Sequence, residues 1–192
     1  KVLDIGSGAG YSLVEIKALG GDAWGIDPDA NAKKIAKKLK LKFHHGFLNG
    51  AKLPGNYFDL ITASQVLEHV PDPIKMLIEC KNYLKKNGRI RMSFPNTGAL
   101  YQQLWGRQWL HWHIPYHLNH FNRRSVMILA EKAGLKVKKV ETVTPNLWTV
   151  LQIRSWLAQI RMGERNTMWD TGQVDEKKLQ SKGGFLRKWS FK

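Results

Sequence analysis

Apolar residues fall in short runs closed by turn residues, and between those runs they recur at helical spacing, so the chain reads as strand and helix in alternation. Residues 2–5 form an apolar run broken only by Asp4, and residues 6–10 turn it into a helix reaching about Leu19. Residues 23–26 make a second buried run ended by Asp27 and Pro28. Residues 31–39 are helical by spacing, with Ile35, Ala36 and Leu39 inward and Lys33, Lys34, Lys37 and Lys38 outward. Residues 41–48 and 58–63 read as the third and fourth strands. A helix over 72–84 follows, started by Asp72 at its N-cap and Pro73 at the first helical position and closed by Asn87 and Gly88. Residues 89–94 supply a fifth strand broken by Pro95 and Asn96.

From 97 to 122 the composition changes to Trp, His, Tyr and Gly without a clean period, which marks an insertion or lid. Residues 123–133 return to helical spacing, Gly134 caps them, and 135–143 alternate like an edge or antiparallel strand. The expected architecture is α/β: a Rossmann-like sheet with helices on both faces, ending in an antiparallel element. We divide the chain into a domain over 1–145, with its insertion at 97–122, and a basic, Trp-rich extension over 146–192. In that extension Leu147, Trp148, Leu151, Ile153, Trp156, Leu157 and Ile160 line much of a helix with Arg154 and Arg161 at polar positions, and Phe185, Leu186, Trp189 and Phe191 close it among basic residues. Packing against the body or against a missing partner segment is the favoured reading of this tail, with a membrane surface second. Residue 1 is Lys and residue 2 already lies in a strand, so the chain is expected to be a fragment.

At 192 residues the chain can bury a core without staples. The single cysteine, Cys80, excludes a disulfide framework and suits a reducing, cytoplasmic setting. No apolar stretch approaches the ~20 residues that span a bilayer. Charge is the outlier: 31 Lys plus Arg against 15 Asp plus Glu gives +16. That balance favours anionic small molecules, nucleic acid or an anionic lipid surface touched peripherally by the C-terminal segment, although lysine on solvated helix faces accounts for much of it.

The sharpest chemical signal is VLDIGSGAG at residues 2–10, a strand running into a glycine-rich turn and then a helix. Its spacing is G-x-G-x-G rather than the G-x-G-x-x-G of a pyrophosphate cradle. Asp4 beside the turn repels a diphosphate and welcomes a cationic amine. Asp27, 17 residues beyond Gly10, ends the next strand where a carboxylate accepts bonds from ribose hydroxyls. Polar groups in FDLITASQVLEHVPDP, residues 58–73, fall at the carboxyl end of the fourth strand, beside the switch point where open sheets bind ligands. A ligand with a ribose and an amine, but no diphosphate, fits all three features.

At these motifs, together with GIDPD and YLKKNGRIRMSFPN, the sequence resembles the class I S-adenosylmethionine-dependent methyltransferases of the type 11 and type 23 kind. The resemblance covers residues 1 to about 145 and implies five parallel strands in the order 3-2-1-4-5. It implies that Asp4 and the backbone of Gly6, Ser7, Gly8 and Gly10 hold the methionine moiety and that Asp27, with Pro28 beside it, holds the ribose. Phe47, Leu48, Ser64 and Gln65 then flank the adenine and the sulfonium. Two departures stand out: Phe47 replaces the acid that bonds the adenine amine in many relatives, and no seventh strand is visible. The product of the cofactor would be S-adenosylhomocysteine.

The segment GRQWLHWHIPYHLNHF, residues 106–121, is similar to a subgroup found among glycan and secondary-metabolite methyltransferases, and its place after the fifth strand is where such folds build an acceptor pocket. Trp109, Trp112, Tyr116, His117 and His120 are therefore expected on the substrate side. His111, His113, His117 and His120 also suggest a metal site, but no carboxylate or thiolate accompanies them in the segment, and no metal is expected. Glu68 and His69 resemble the Leu-Glu-His stretch of ubiquinone-pathway O-methyltransferases, in which these residues help hold a divalent ion; Gln65 replaces a further acid there, so an ion is again not expected. His69 or His117 as general base is the catalytic expectation, set against a histidine that only orients neighbouring backbone. The expected function is methyl transfer to O or N of a small-molecule acceptor such as a glycan, a quinone or another metabolite. The alternatives are a nucleic-acid methyltransferase, which the charge and aromatics favour but for which no base-flipping motif appears, and a cofactor-binding protein without turnover. Asp4 and the glycine spacing disfavour a nicotinamide-dependent oxidoreductase.

Overall fold

The computed structural model describes residues 1–157. Residues Lys1–Asn146 form one compact unit. Its five strands are β1 (Val2–Ile5), β2 (Ala23–Asp27), β3 (Lys42–His45), β4 (Phe58–Ser64) and β5 (Leu84–Ser93), all parallel in the order β3-β2-β1-β4-β5. The helices α1 (Tyr11–Ala18), α2 (Ala30–Lys38) and α3 (Pro73–Tyr83) supply the crossovers that parallel pairing demands. After β5 come α4 (Leu100–Trp105) and α5 (Arg123–Lys132). A further helix, α6 (Asn146–Leu157), covers the start of the extension, while Ile160, Arg161 and the terminal aromatic residues lie outside the described residues. Among the described residues no helix is long and apolar enough to cross a membrane.

Reversal of strand order beside β1 puts the carboxyl ends of β1 and β4 at the crevice where doubly wound sheets bind ligands. Beneath that edge lies the core. Leu3 and Ile5 of β1, Ile26 of β2 and Phe58 and Ile61 of β4 are buried against Leu67, Met76, Leu77 and Cys80. Each such side chain contributes about 1.5–3 kcal/mol.

The expected N-cap of α3 is present, and a second cap that the pattern did not name starts α5. Asp72 accepts from the Lys75 N–H at 2.9 Å with Pro73 opening α3, and Asn122 and Ser125 cap α5 reciprocally at 2.9 Å.

Three expectations are corrected. The alternating segment 135–143 is not a strand, so among the described residues the sheet carries no antiparallel element. Leu135 and Val137 are half-buried between exposed Lys136 and Lys138, so the alternation records one-sided packing of an extended chain without a ladder partner. The fifth strand starts at Leu84, with α3 ending at Tyr83, and a register shift near Asp59 absorbs the extra residues of β5. Gly88, read as a helix stop, lies within the strand, where a Cβ would come within 2.9 Å of the Phe58 carbonyl. Leu39, expected inward, is 38% exposed at the C-cap of α2.

Candidate functional site

The glycine turn emerges from β1 with Gly6 at φ +71° and Gly8 at φ +49°, conformations that favour glycine. A Cβ on Gly6 would lie 2.4 Å from Cγ2 of Val66, so the segment after β4 packs directly on the turn. A Cβ on Gly8 would meet nothing within 4 Å and so faces open space. Asp27 stitches this turn to the end of β2: one carboxylate oxygen accepts from the Gly8 N–H at 2.8 Å and the other from the Asp29 N–H at 2.8 Å. Each oxygen keeps a second lone pair for a ribose hydroxyl. Across from it the His45 ring nitrogen Nε2 lies 3.0 Å from the Pro28 carbonyl oxygen, tying the ends of β2 and β3 together.

Asp4 has a less direct part than expected. It is buried, and its two oxygens accept from the hydroxyls of Ser12 and of Thr62, the latter at 2.6 Å, so it braces the turn from behind. Ser7 also points inward, with its hydroxyl against the backbone of Gly25. Gly10 caps α1 in the left-handed conformation. Phe47 is 69% exposed just beyond β3 while Leu48 is buried. At the end of β4, Ser64 shares a 2.8 Å hydroxyl pair with Ser93, and Gln65 takes φ +56° as its N–H donates to the Ser93 carbonyl. An uncluttered glycine turn, an acid with spare lone pairs and an exposed aromatic ring fit a ribose-bearing, cationic cofactor.

The insertion docks on the 3-10 turn Leu67–His69 that follows β4. Leu118 and Asn119 both donate their N–H groups to the Glu68 carbonyl, at 2.8 and 3.0 Å, and the Asn119 amide donates to the Val70 carbonyl at 2.7 Å. This lock brings His117 against His69, with ring centroids 4.7 Å apart, and against Glu68. The Glu68 side chain is 1% exposed and its carboxylate oxygens have no hydrogen-bond partner. Burial raises its carboxyl above the ordinary range. Burial likewise lowers the imidazoles of His111 and His117 to about 4.

Of the other substrate-side residues, Trp109 is buried against Trp112 at 5.4 Å and so shapes the insertion itself. Trp112 donates its indole N–H to the Gly106 carbonyl at 2.8 Å, and the His120 ring packs on it at 5.0 Å. Tyr116 is exposed. Sequence reasoning did not single out Val66, Asn119, Ser12 or Thr62. Only the nearness of Asn119 to His117 offered a signal.

A methyltransferase-domain family model matches residues 1–140. The chain is similar to the mitochondrial ubiquinone biosynthesis O-methyltransferase of Schizosaccharomyces pombe, 34% identical over 48% of this chain and 37% of that protein. It is also similar to the ubiquinone biosynthesis O-methyltransferase of Glaesserella parasuis, 36% identical over 52% of this chain and 47% of that protein. Both matches therefore reach less than half the length of the curated relatives. In fold it is similar to an S-adenosylmethionine-dependent methyltransferase from Mesorhizobium loti, with TM-score 0.62, 14% identity, and 83% of this chain and 85% of that one covered. A SAM-dependent methyltransferase from Archaeoglobus fulgidus gives TM-score 0.57 and 22% identity, covering 81% of this chain and 77% of that one.

Proposed function

The chain belongs to the methyltransferase-domain family, its cofactor is S-adenosylmethionine, and we propose that it directs the methyl group to an oxygen of a small-molecule acceptor, a hydroxyl of a ubiquinone-pathway intermediate. The observation that carries the cofactor half of this reading is the glycine turn of residues 6–10, bonded to Asp27 and facing free space at Gly8, while the acceptor half is supported by the likeness to ubiquinone biosynthesis O-methyltransferases. The bound cofactor supplies a methyl group on a positively charged sulfur, which leaves neutral.

Most of the work left to the protein is alignment, which can supply about 7–11 kcal/mol. The turn and Asp27 hold the donor, and Val66 ties the turn to the segment that carries Glu68 and His69. An acceptor hydroxyl must also lose a proton. That task falls to the Glu68, His69 and His117 cluster, which the insertion closes over the end of β4. In this reading the acceptor side falls to Tyr116, Trp112 and His120 of the insertion, where the Trp112 and His120 rings pack on each other and Tyr116 on His113.

Calorimetry with S-adenosylhomocysteine tests the cofactor half. Asp27→Ala is expected to weaken binding by about tenfold or more, since a charge-assisted hydrogen bond is worth about 1.5–3 kcal/mol, and Asp27→Asn by less. Unchanged affinity in a folded variant overturns the assignment. Transfer of labelled methyl to a panel of hydroxyl-bearing quinone precursors tests the acceptor half, and transfer to RNA instead overturns it.

A further inference from the structure

We propose that Lys81, Lys85 and Lys86, where α3 runs into β5, form a binding site for a small soluble phosphorylated ligand, at the end of the sheet opposite the cofactor crevice. The inference goes beyond the methyl-transfer reading and does not depend on it.

The first observation is a cavity of about 440 Å³ bordered by Asn56, Lys81, Leu84, Lys85, Lys86 and Leu135. That size falls within the ~300–1,000 Å³ of small-molecule sites. Three of its bordering side chains end in an ammonium group and none in a carboxylate. Leu84 is buried and Leu135 half-buried, so the cations stand beside an apolar wall. A cleft of one charge sign with low-dielectric walls concentrates the field on whatever enters it. The lysines on the exposed face of α2 have no such setting, as each projects from the surface of a helix.

The second observation is that two of the three cations are tethered. Lys81 donates from Nζ to the carbonyls of Ala133 and Gly134 at the end of α5, at 3.3 and 3.2 Å. Lys85 donates from Nζ to Asp59 at 2.6 Å. An ammonium has three donors, so Lys81 keeps one N–H and Lys85 keeps two. Lys86 is exposed and has no partner among the described residues, which leaves all of its donors for a ligand. Side chains already held in place lose less freedom when an anion binds.

Charge and position then select the ligand. Three ammonium groups against the single carboxylate of Asp59 leave two positive charges to be met. A phosphate monoester carries about −1.5 to −2 at neutral pH and matches them, whereas a carboxylate matches one. Lysine is a compact point charge of the kind that pairs with phosphate. Asn56, just before β4, adds an amide donor at the rim. No exposed large apolar residue borders the cavity to enter a bilayer, so the phosphate belongs to a soluble molecule and not to a lipid headgroup. The cavity sits at the amino ends of β4 and β5 and the cofactor crevice at the carboxyl ends of β1 and β4. The seven residues of β4 separate the two by about 20 Å.

The full chain is titrated with inorganic pyrophosphate by calorimetry at low salt. Saturation at one equivalent per chain is expected. Lys86→Ala and Lys81→Ala are each expected to weaken binding by about tenfold, while Lys37→Ala, on α2, leaves it unchanged. Circular dichroism checks folding, and Lys86→Ala keeps the test valid if loss of the Lys81 tether unfolds the chain. Binding that does not saturate, or an equal loss in Lys37→Ala, is diffuse attraction to the +16 charge and overturns the proposal. Saturating S-adenosylhomocysteine is expected to leave pyrophosphate affinity unaltered; displacement places pyrophosphate in the cofactor crevice and overturns it too. Vesicles of phosphatidylcholine and phosphatidic acid separate the two sources of phosphate. Sedimentation of the chain with them that depends on Lys86 overturns the soluble ligand. Lys86→Ala is expected to keep full S-adenosylhomocysteine affinity, so failure of this site and failure of the cofactor site are read separately.

Discussion

The backbone N–H of Asn119 donates to the carbonyl of Glu68 at 3.0 Å, and through this contact the insertion after β5 is registered against the turn after β4. The Asn119 side chain repeats the link by donating to the Val70 carbonyl at 2.7 Å. Residues far apart in sequence are thereby held as one surface, with His117 on one side and Glu68 on the other.

Asn119→Ala removes the side-chain half of that lock and leaves a partly buried carbonyl short of a donor. A loss of about 1–3 kcal/mol is expected, visible as a lower midpoint in chemical denaturation. The acceptor KM should rise while S-adenosylhomocysteine affinity holds. A parallel loss of cofactor affinity would show that the insertion also shapes the donor site.

The two glycines at the front of the turn should separate folding from binding. Gly8→Ala meets open space, so its folding cost is the left-handed backbone alone, about 1–2 kcal/mol. Its methyl group enters the cofactor's place, and S-adenosylhomocysteine affinity should fall more than stability does. Gly6→Ala adds a 2.4 Å clash with Val66 and should be the more destabilising of the two. Comparing thermal midpoints with calorimetric affinities checks the order.

Thr62→Val tests the brace behind the turn. Thr62 donates to buried Asp4 at 2.6 Å, and valine preserves the shape while removing the donor. A loss of about 1–3 kcal/mol is expected, together with a weaker cofactor complex because the turn is less well held. Full retention of both properties would remove Asp4 from the site.

Cys80 offers a pH test. Burial in the core pushes its thiol up to about 12 from an ordinary 9.0. The unfolded chain therefore releases this proton first as pH rises, so stability declines between about 9 and 12. In Cys80→Ala that part of the decline should vanish from denaturation curves measured across the range. At pH 8 the native thiol should react with a disulfide reagent only at the rate of unfolding or local opening.

Much of the architecture was legible from residue pattern alone. Strand boundaries in β1, β2 and β4 follow from short apolar runs closed by Gly, Asp or Ser, because a strand buried on both faces needs that composition. The glycine turn was legible because its geometry is local: a turn that needs positive φ favours glycine, and the acid ending the next strand, Asp27, accepts from its Gly8 N–H. The partners of Asp4, Ser12 and Thr62, come from α1 and β4 and so could not be read from the motif.

Local sequence determined most of the elements, the order of parallel strands through the resemblance, and the glycine turn after β1. Tertiary structure decided what those elements do when no neighbour completes them. The alternation at 135–143 has strand character in sequence, yet no ladder forms, because pairing requires a second strand within hydrogen-bonding reach. The same holds for the Glu68, His69 and His117 cluster. Its histidines lie in two segments and its carboxylate belongs to only one of them, and the backbone bonds of Leu118 and Asn119 bring them together at a spacing that one-dimensional pattern does not contain.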